Sequence, residues 1–170
     1  MSAEPDGLLI GKNHTIGQII RWAYTCHDNP GSTPPAAMFR LGARMSLGNG
    51  QGSALDYTAE AGMVINVVEH LPTSQIRCLV QALYGLHATA AVHLSEAIAD
   101  TAGCHLHIAQ ALLAGWVKKT SPSIPAMASD CGLSRHQAER EYHNAMGTLR
   151  GWDRMATEML RVSFEDRGWI

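Results

Sequence analysis

With 170 residues, 46% of them hydrophobic and only 6% aromatic, the chain is long enough for one domain with an adequate core, or one domain plus an appendage. Its wealth of Ala, Leu, Met and Gly and its lack of β-branched runs point to helices rather than sheets. A formal charge of -2 excludes a polyanion binder driven by net charge alone, and the scattered Cys26, Cys78, Cys104 and Cys131, with no CxxC pair, exclude a disulfide framework and a zinc ribbon.

Residues 1 to 13 read as a loose tail, acidic at its start and without an apolar signal core, and no apolar run approaches the roughly 20 residues of a membrane span. The expectation is a cytoplasmic protein with no membrane contact. Thr15 is placed to cap a helix running to about Cys26, with Ile16, Ile19, Ile20 and Ala23 as its apolar stripe and Arg21, Trp22 and Tyr24 around it. The run from His27 to Pro35 breaks it. A second helix starts among the prolines, carries Met38, Leu41 and Met45, and ends at the glycine-rich Gly48 to Gly52. That piece is no phosphate cradle, because no strand precedes it and no GKS or GKT follows. Residues 1–54 thus form an N-terminal helical segment.

From Tyr57 to His70 a helix carries Met63, Val64, Val67 and Val68, and Leu71-Pro72 turns the chain. Thr73 or Ser74 caps the next helix, whose Ile76, Leu79, Val80 and Leu83 repeat at helical spacing. A further pair begins near Ala88. It runs through Val92, Leu94 and Ile98, then Ile108, Leu112 and Trp116, and closes at Lys118-Lys119, whose charges suit a helix C-terminus or, alternatively, nucleic-acid contact. Inside this pair, Cys104-His105-Leu106-His107 is the densest group of potential metal ligands. Zinc needs three or four ligands converging at about 2.0–2.3 Å, and on a helix these residues spread over different faces. Cys104 and His107 could converge, with Cys131 or His93 supplying a ligand from afar, but the expectation is no metal and no cofactor.

The stretch from Ser121 to Leu149 is the most informative. Ser123 can cap a short helix with Pro125 in its first turn, Gly132 ends it, Leu133 plugs the turn and Ser134 caps a second helix carrying Ala138, Tyr142, Ala145, Met146 and Leu149. Ala128 is small where the two helices would cross. This is the pattern of a helix-turn-helix DNA reader at about 123–150. Glu141 falls where an aliphatic residue is usual, so Tyr142 or Met146 must close the core. The outer face would hold Arg135, His136, Glu139, Arg140 and His143, with Ser134 and Gln137 at the helix start, all groups able to reach bases or phosphates of double-stranded DNA. The chain from Lys118 onward has eight Lys/Arg against seven acidic residues, and the part before it five against eight, so the candidate reader lies in the mildly basic end. The alternatives are a plain amphipathic hairpin serving protein interaction, and a transcription repressor or activator that binds a palindromic site as a homodimer. For an enzyme the best groups would be His105, His107 and Glu96 or Asp100. No nucleophile elbow, HExxH or phosphate loop accompanies them, so no catalytic residue is expected.

The elbow Leu71-Pro72, the helix from Ile76-Arg77-Cys78-Leu79 to Tyr84-Gly85 and the Gly132-Leu133-Ser134 turn together resemble sigma-factor region 4 and its relatives, and among them the phage antitermination protein Q family. Arg21-Trp22-Ala23, the helix from Ala59 to Leu71 and the continuation from Ala145 to Trp152 add to the likeness, which spans most of the chain. The stretch from about 87 to 121 departs from it, since a sigma-like module is short there. The resemblance implies an all-α, multi-helix protein in which residues 55–170 form a sigma region 4-like core with an inserted helical hairpin at 87–121. It also implies a non-enzymatic regulator that binds a DNA element beside a late promoter, engages a paused bacterial RNA polymerase still carrying sigma factor, and permits read-through of terminators.

Overall fold

The structure is a computed structural model that describes residues 14–28 and 54–170, with side chains from 16–28 and 58–170. Among them every regular element is an α-helix: α1 (His14–Asp28), α2 (Ala54–Glu69), α3 (Ser74–Leu83), α4 (Ala88–Ala102), α5 (Leu106–Lys118), α6 (Ile124–Cys131) and α7 (Arg135–Asp166). There is no strand among the described residues, and the all-α reading of composition and periodicity holds. The N-terminal tail, the Met38 to Met45 helix and the glycine-rich piece expected from sequence lie outside the described residues. No described helix is long and apolar enough to cross a membrane.

The expected stripes are what these helices bury. On α1, Ile16, Ile19, Ile20 and Ala23 are fully buried, and so is Trp22, which makes the apolar face wider than the stripe alone. Helix α1 starts at His14, so Thr15 sits inside its first turn instead of capping it from outside. The elbow between α2 and α3 follows from local chemistry. The Leu71 N–H closes on the Val68 carbonyl at 3.2 Å, Pro72 has no N–H with which to continue the helix, and the Thr73 hydroxyl accepts from the Ile76 N–H at 3.3 Å to start α3. Leu71, buried beneath this turn, fixes the elbow to the core.

Residues 88–118 do not project from the molecule. Leu94 and Ile98 of α4 and Ala109, Leu112 and Leu113 of α5 belong to the same apolar core as α1, α2 and α3. The element that gathers them is α7, which packs against every other described helix. The helix-turn-helix stretch at about 123–150 covers only the first half of this helix, which continues to Asp166, about 48 Å in all at 1.5 Å per residue. The cause is the buried series Ala145, Leu149, Ala156, Leu160 and Phe164, which keeps one face in the core beyond Gly147 and Gly151. Those glycines sit on the exposed side, and the roughly 1 kcal/mol each costs an exposed helix interior is small against that burial. Phe164 also meets Trp169 edge to face, with ring centroids 5.2 Å apart.

If the last four turns of α7 are part of the fold, Phe164→Ala should lower unfolding free energy by about 3–5 kcal/mol, the range for truncating a buried aromatic ring. Urea denaturation checks it, and an unchanged midpoint would mean that this end of the helix is not packed.

Candidate nucleic-acid interface

Helix α6, the turn and the start of α7 are held by caps at each junction. The Ser123 hydroxyl accepts from the Ala126 N–H at 3.4 Å, with a proline in the first turn where a missing N–H costs nothing. Gly132 ends α6 at φ +65°, and a Cβ built there would meet nothing within 4 Å. The glycine is therefore needed for its left-handed backbone and not for space. The Leu133 N–H then returns to the Ala128 carbonyl at 2.9 Å. Ser134 and Gln137 form a reciprocal box: the Gln137 N–H donates to the serine hydroxyl at 3.2 Å, and the Ser134 N–H donates to the glutamine side-chain oxygen at 3.0 Å.

Beneath the turn lies a small apolar cluster of its own, Ile108, Met127, Ala128 and Ala138, with Ile124, Leu133 and Tyr142 packed against it. Ile108 comes from α5, so the unit has three walls where the sequence suggested two. Tyr142 touches both this cluster and the main core and closes the gap that the polar residue at 141 would otherwise leave.

Glu141 has a different task. Its side chain is only 15% exposed, and one carboxylate oxygen accepts both the backbone N–H of His105, at 2.9 Å, and its imidazole Nδ1, at 2.8 Å. His105 is the N-cap of α5 and makes no side-chain cap of its own. A carboxylate from α7 thus satisfies a donor at the start of α5 and sits at the positive end of that helix dipole. Burial pushes the Glu141 carboxyl up, but the hydrogen bonds from His105 outweigh it and hold the group below the ordinary range. A second, exposed link joins the same helix start to α6, His107 Nε2 to Asp130 Oδ2 at 3.1 Å.

The Cys104-His105-Leu106-His107 group is divided by these pairings. Cys104 and His105 precede α5 and do not lie on a helix with His107, and each histidine faces its own carboxylate. Glu96 lies against His93 at 3.6 Å and not against His105 or His107. Burial raises the thiols of Cys104 and Cys131, and the Glu141 carboxylate adds to it. Among the described residues no group of three or more His, Cys, Asp or Glu side chains is placed to hold a metal ion.

The residues named as DNA-contacting candidates, Ser134, Arg135, His136, Gln137, Glu139, Arg140 and His143, are all exposed. His136, Arg140 and His143 follow at steps of four and three and so share one face, with Arg135 and Glu139 along its flank. Ser134 and Gln137 bind each other at the cap, which leaves mainly the Gln137 amide N–H groups for an outside partner. Arg135 and Arg140 make no ion pair among the described residues, so their guanidinium groups are available to a ligand. No protein-family model, curated protein or solved structure matches the chain.

Removing the carboxylate that caps α5 should cost about 1 kcal/mol, so Glu141→Ala is expected to be less stable than the parent at neutral pH. The Glu141 carboxyl is lowered in the folded state, so its contribution is present above the unfolded value of about 4.3 and is lost as pH falls through the folded value. Denaturation midpoints of parent and variant should differ at neutral pH and converge below about pH 4. A gap that persists undiminished in acid would show that the carboxylate is not responsible.

Proposed function

We propose that the chain is a sequence-specific reader of double-stranded DNA and acts as a transcription antitermination factor. The observation that carries the DNA-reading part is the open outer face at the start of α7. There Arg135, His136, Arg140 and His143 stand exposed on a helix whose first turn is fixed by a capping box and whose opposite side is packed on α5 and α6. Arginine and histidine on such a face supply donors suited to guanine edges and phosphates, and a rigidly seated helix gives them a defined register.

The antitermination part rests on the resemblance to the phage antitermination protein Q family. In that reading the Leu71-Pro72 elbow with α2 and α3, together with α6 and α7, corresponds to a sigma region 4-like core within residues 55–170. The 87–121 hairpin is inserted between them, and 123–150 is the helix-turn-helix. The protein then binds a promoter-proximal element, joins an RNA polymerase that carries sigma factor, and lets it pass terminators. A formal charge of -2 fits a protein that needs this second partner, because few cations are at hand to displace counterions from DNA. The groove between α4 and α5 offers a surface of the opposite kind. Its apolar floor includes Ala91, Val92, Leu113 and Val117, with both valines more than half exposed and Lys118 at its edge, and such a surface suits a protein partner.

The expected behaviour is modest binding to promoter DNA alone, stable retention on the same DNA when paused RNA polymerase and sigma factor are present, and increased read-through of a downstream terminator in a reconstituted assay. Arg135→Ala or Arg140→Ala should weaken specific binding by about 1–3 kcal/mol with unchanged melting behaviour. Tight, symmetric protection of DNA with lost initiation and no read-through would make the protein a repressor. Failure to protect DNA with or without polymerase would leave a helical protein-interaction module.

A further inference from the structure

The proposed reader occupies only the first turns of a much longer helix, and the same face continues. Positions 136, 140, 143, 147, 150 and 154 succeed one another at steps of four and three, which keeps them on one side of α7, and all are exposed. Two of them are arginines outside the set of candidate base-contacting residues: Arg150, at the last position of the helix-turn-helix stretch, and Arg154, beyond it. Between 142 and 157 the sole acidic residue is Asp153, and it is buried, so this length of the helix presents positive charge to solvent up to Glu158, one turn after Arg154. Neither arginine makes an ion pair among the described residues. The next cation is different: Arg161 is clamped by Glu158 and Glu165, each at 2.7 Å. The open basic face therefore has a definite end, at Glu158.

We propose that Arg150 and Arg154 form a second contact on duplex DNA, one that engages the phosphate backbone where α7 leaves the groove. This rests on the reading of the α7 start as the base-contacting segment. Arg154 lies about 21 Å along the helix from Arg140, at 1.5 Å per residue, and the major groove is about 12 Å wide. A helix with Arg140 at the bases carries residues 150–154 past the groove wall, where phosphates and not base edges are within reach. Gly147 and Gly151 lie between and beside the arginines, with nothing within 4 Å of an added Cβ, and leave the helix surface low where a sugar-phosphate strand would pass. The contact adds affinity without sequence preference and concentrates positive charge locally in a protein whose overall charge is -2.

The test uses the full chain and a fluorescein-labelled mixed-sequence duplex of about 30 base pairs, with anisotropy titrations from about 50 to 200 mM salt. The double variant Arg150→Gln/Arg154→Gln should flatten the slope of log affinity against log salt by about 2, close to one per arginine. Gly147→Glu places a carboxylate in the middle of the face at an open helical position that gains helix propensity, so its weaker binding cannot come from unfolding. Melting curves matching the parent for the double variant complete that control. An unchanged slope together with full binding by Gly147→Glu overturns the proposal. If the parent binds the duplex and Arg140→Ala weakens it while these variants do not, the second contact alone fails. If the parent binds no mixed-sequence duplex even at the lowest salt, this sequence-independent contact fails, while the base-reading segment is judged by promoter DNA with polymerase present. Tighter binding of a single-stranded RNA of the same length, lost in the same variants, would overturn the assignment of the partner to duplex DNA.

Discussion

The structure depends on one constraint: α7 must be a single unbroken helix, packed along one side and open along the other. Its buried series from Ala145 to Phe164 touches helices far apart in sequence, and α6 and α5 brace its first turns. Because the same rigid rod is both the centre of the core and the bearer of the exposed arginines, the outer face needs no scaffold of its own. Side chains that read or hold a ligand are placed best when the element under them is immobilised by packing. The polar cap at its start and the core at its far end both serve that end.

Glu141 explains how the hairpin of α4 and α5 is tied into this arrangement. Ile108 supplies the apolar wall and the His105 to Glu141 contact supplies the polar lock, so α5 is registered against α7 by two interactions of different chemistry. An aliphatic residue at 141 would have filled space but left the His105 N–H without this partner. The carboxylate does what a local serine or aspartate does at other helix starts, from 36 residues away.

What could be read from the chain beforehand divides along the same line. The elbow at Leu71-Pro72-Thr73 and the turn at Gly132-Leu133-Ser134 were legible because caps, proline and left-handed glycine act within a few residues. The stripes of α1 and α3 were legible because periodicity records which face is buried. The role of Glu141, the third wall at Ile108 and the pairing of His105 and His107 with separate carboxylates were not, since contacts across distant segments leave no periodic trace. The full length of α7 was not legible for a related reason: the motif covers only its first turns, and the packing of Leu160 and Phe164 shows why the helix runs on. Candidate base-contacting residues were nameable because an exposed Arg and His face follows directly from which positions are apolar, while the lack of an ion pair at Arg150 and Arg154 among the described residues needed the three-dimensional neighbours.

Charge is the remaining thread. A nearly neutral chain can still present a local stretch of positive charge where the acid is buried, as Asp153 is, between the exposed Arg150 and Arg154. The most direct measurement of the central claim is selection of duplexes from a fully randomised pool by the purified chain at moderate salt. The account predicts enrichment of a short motif containing guanine, abolished in a chain that lacks the arginines at the start of α7. Recovery of an unenriched pool at every round, with the protein folded, would contradict it.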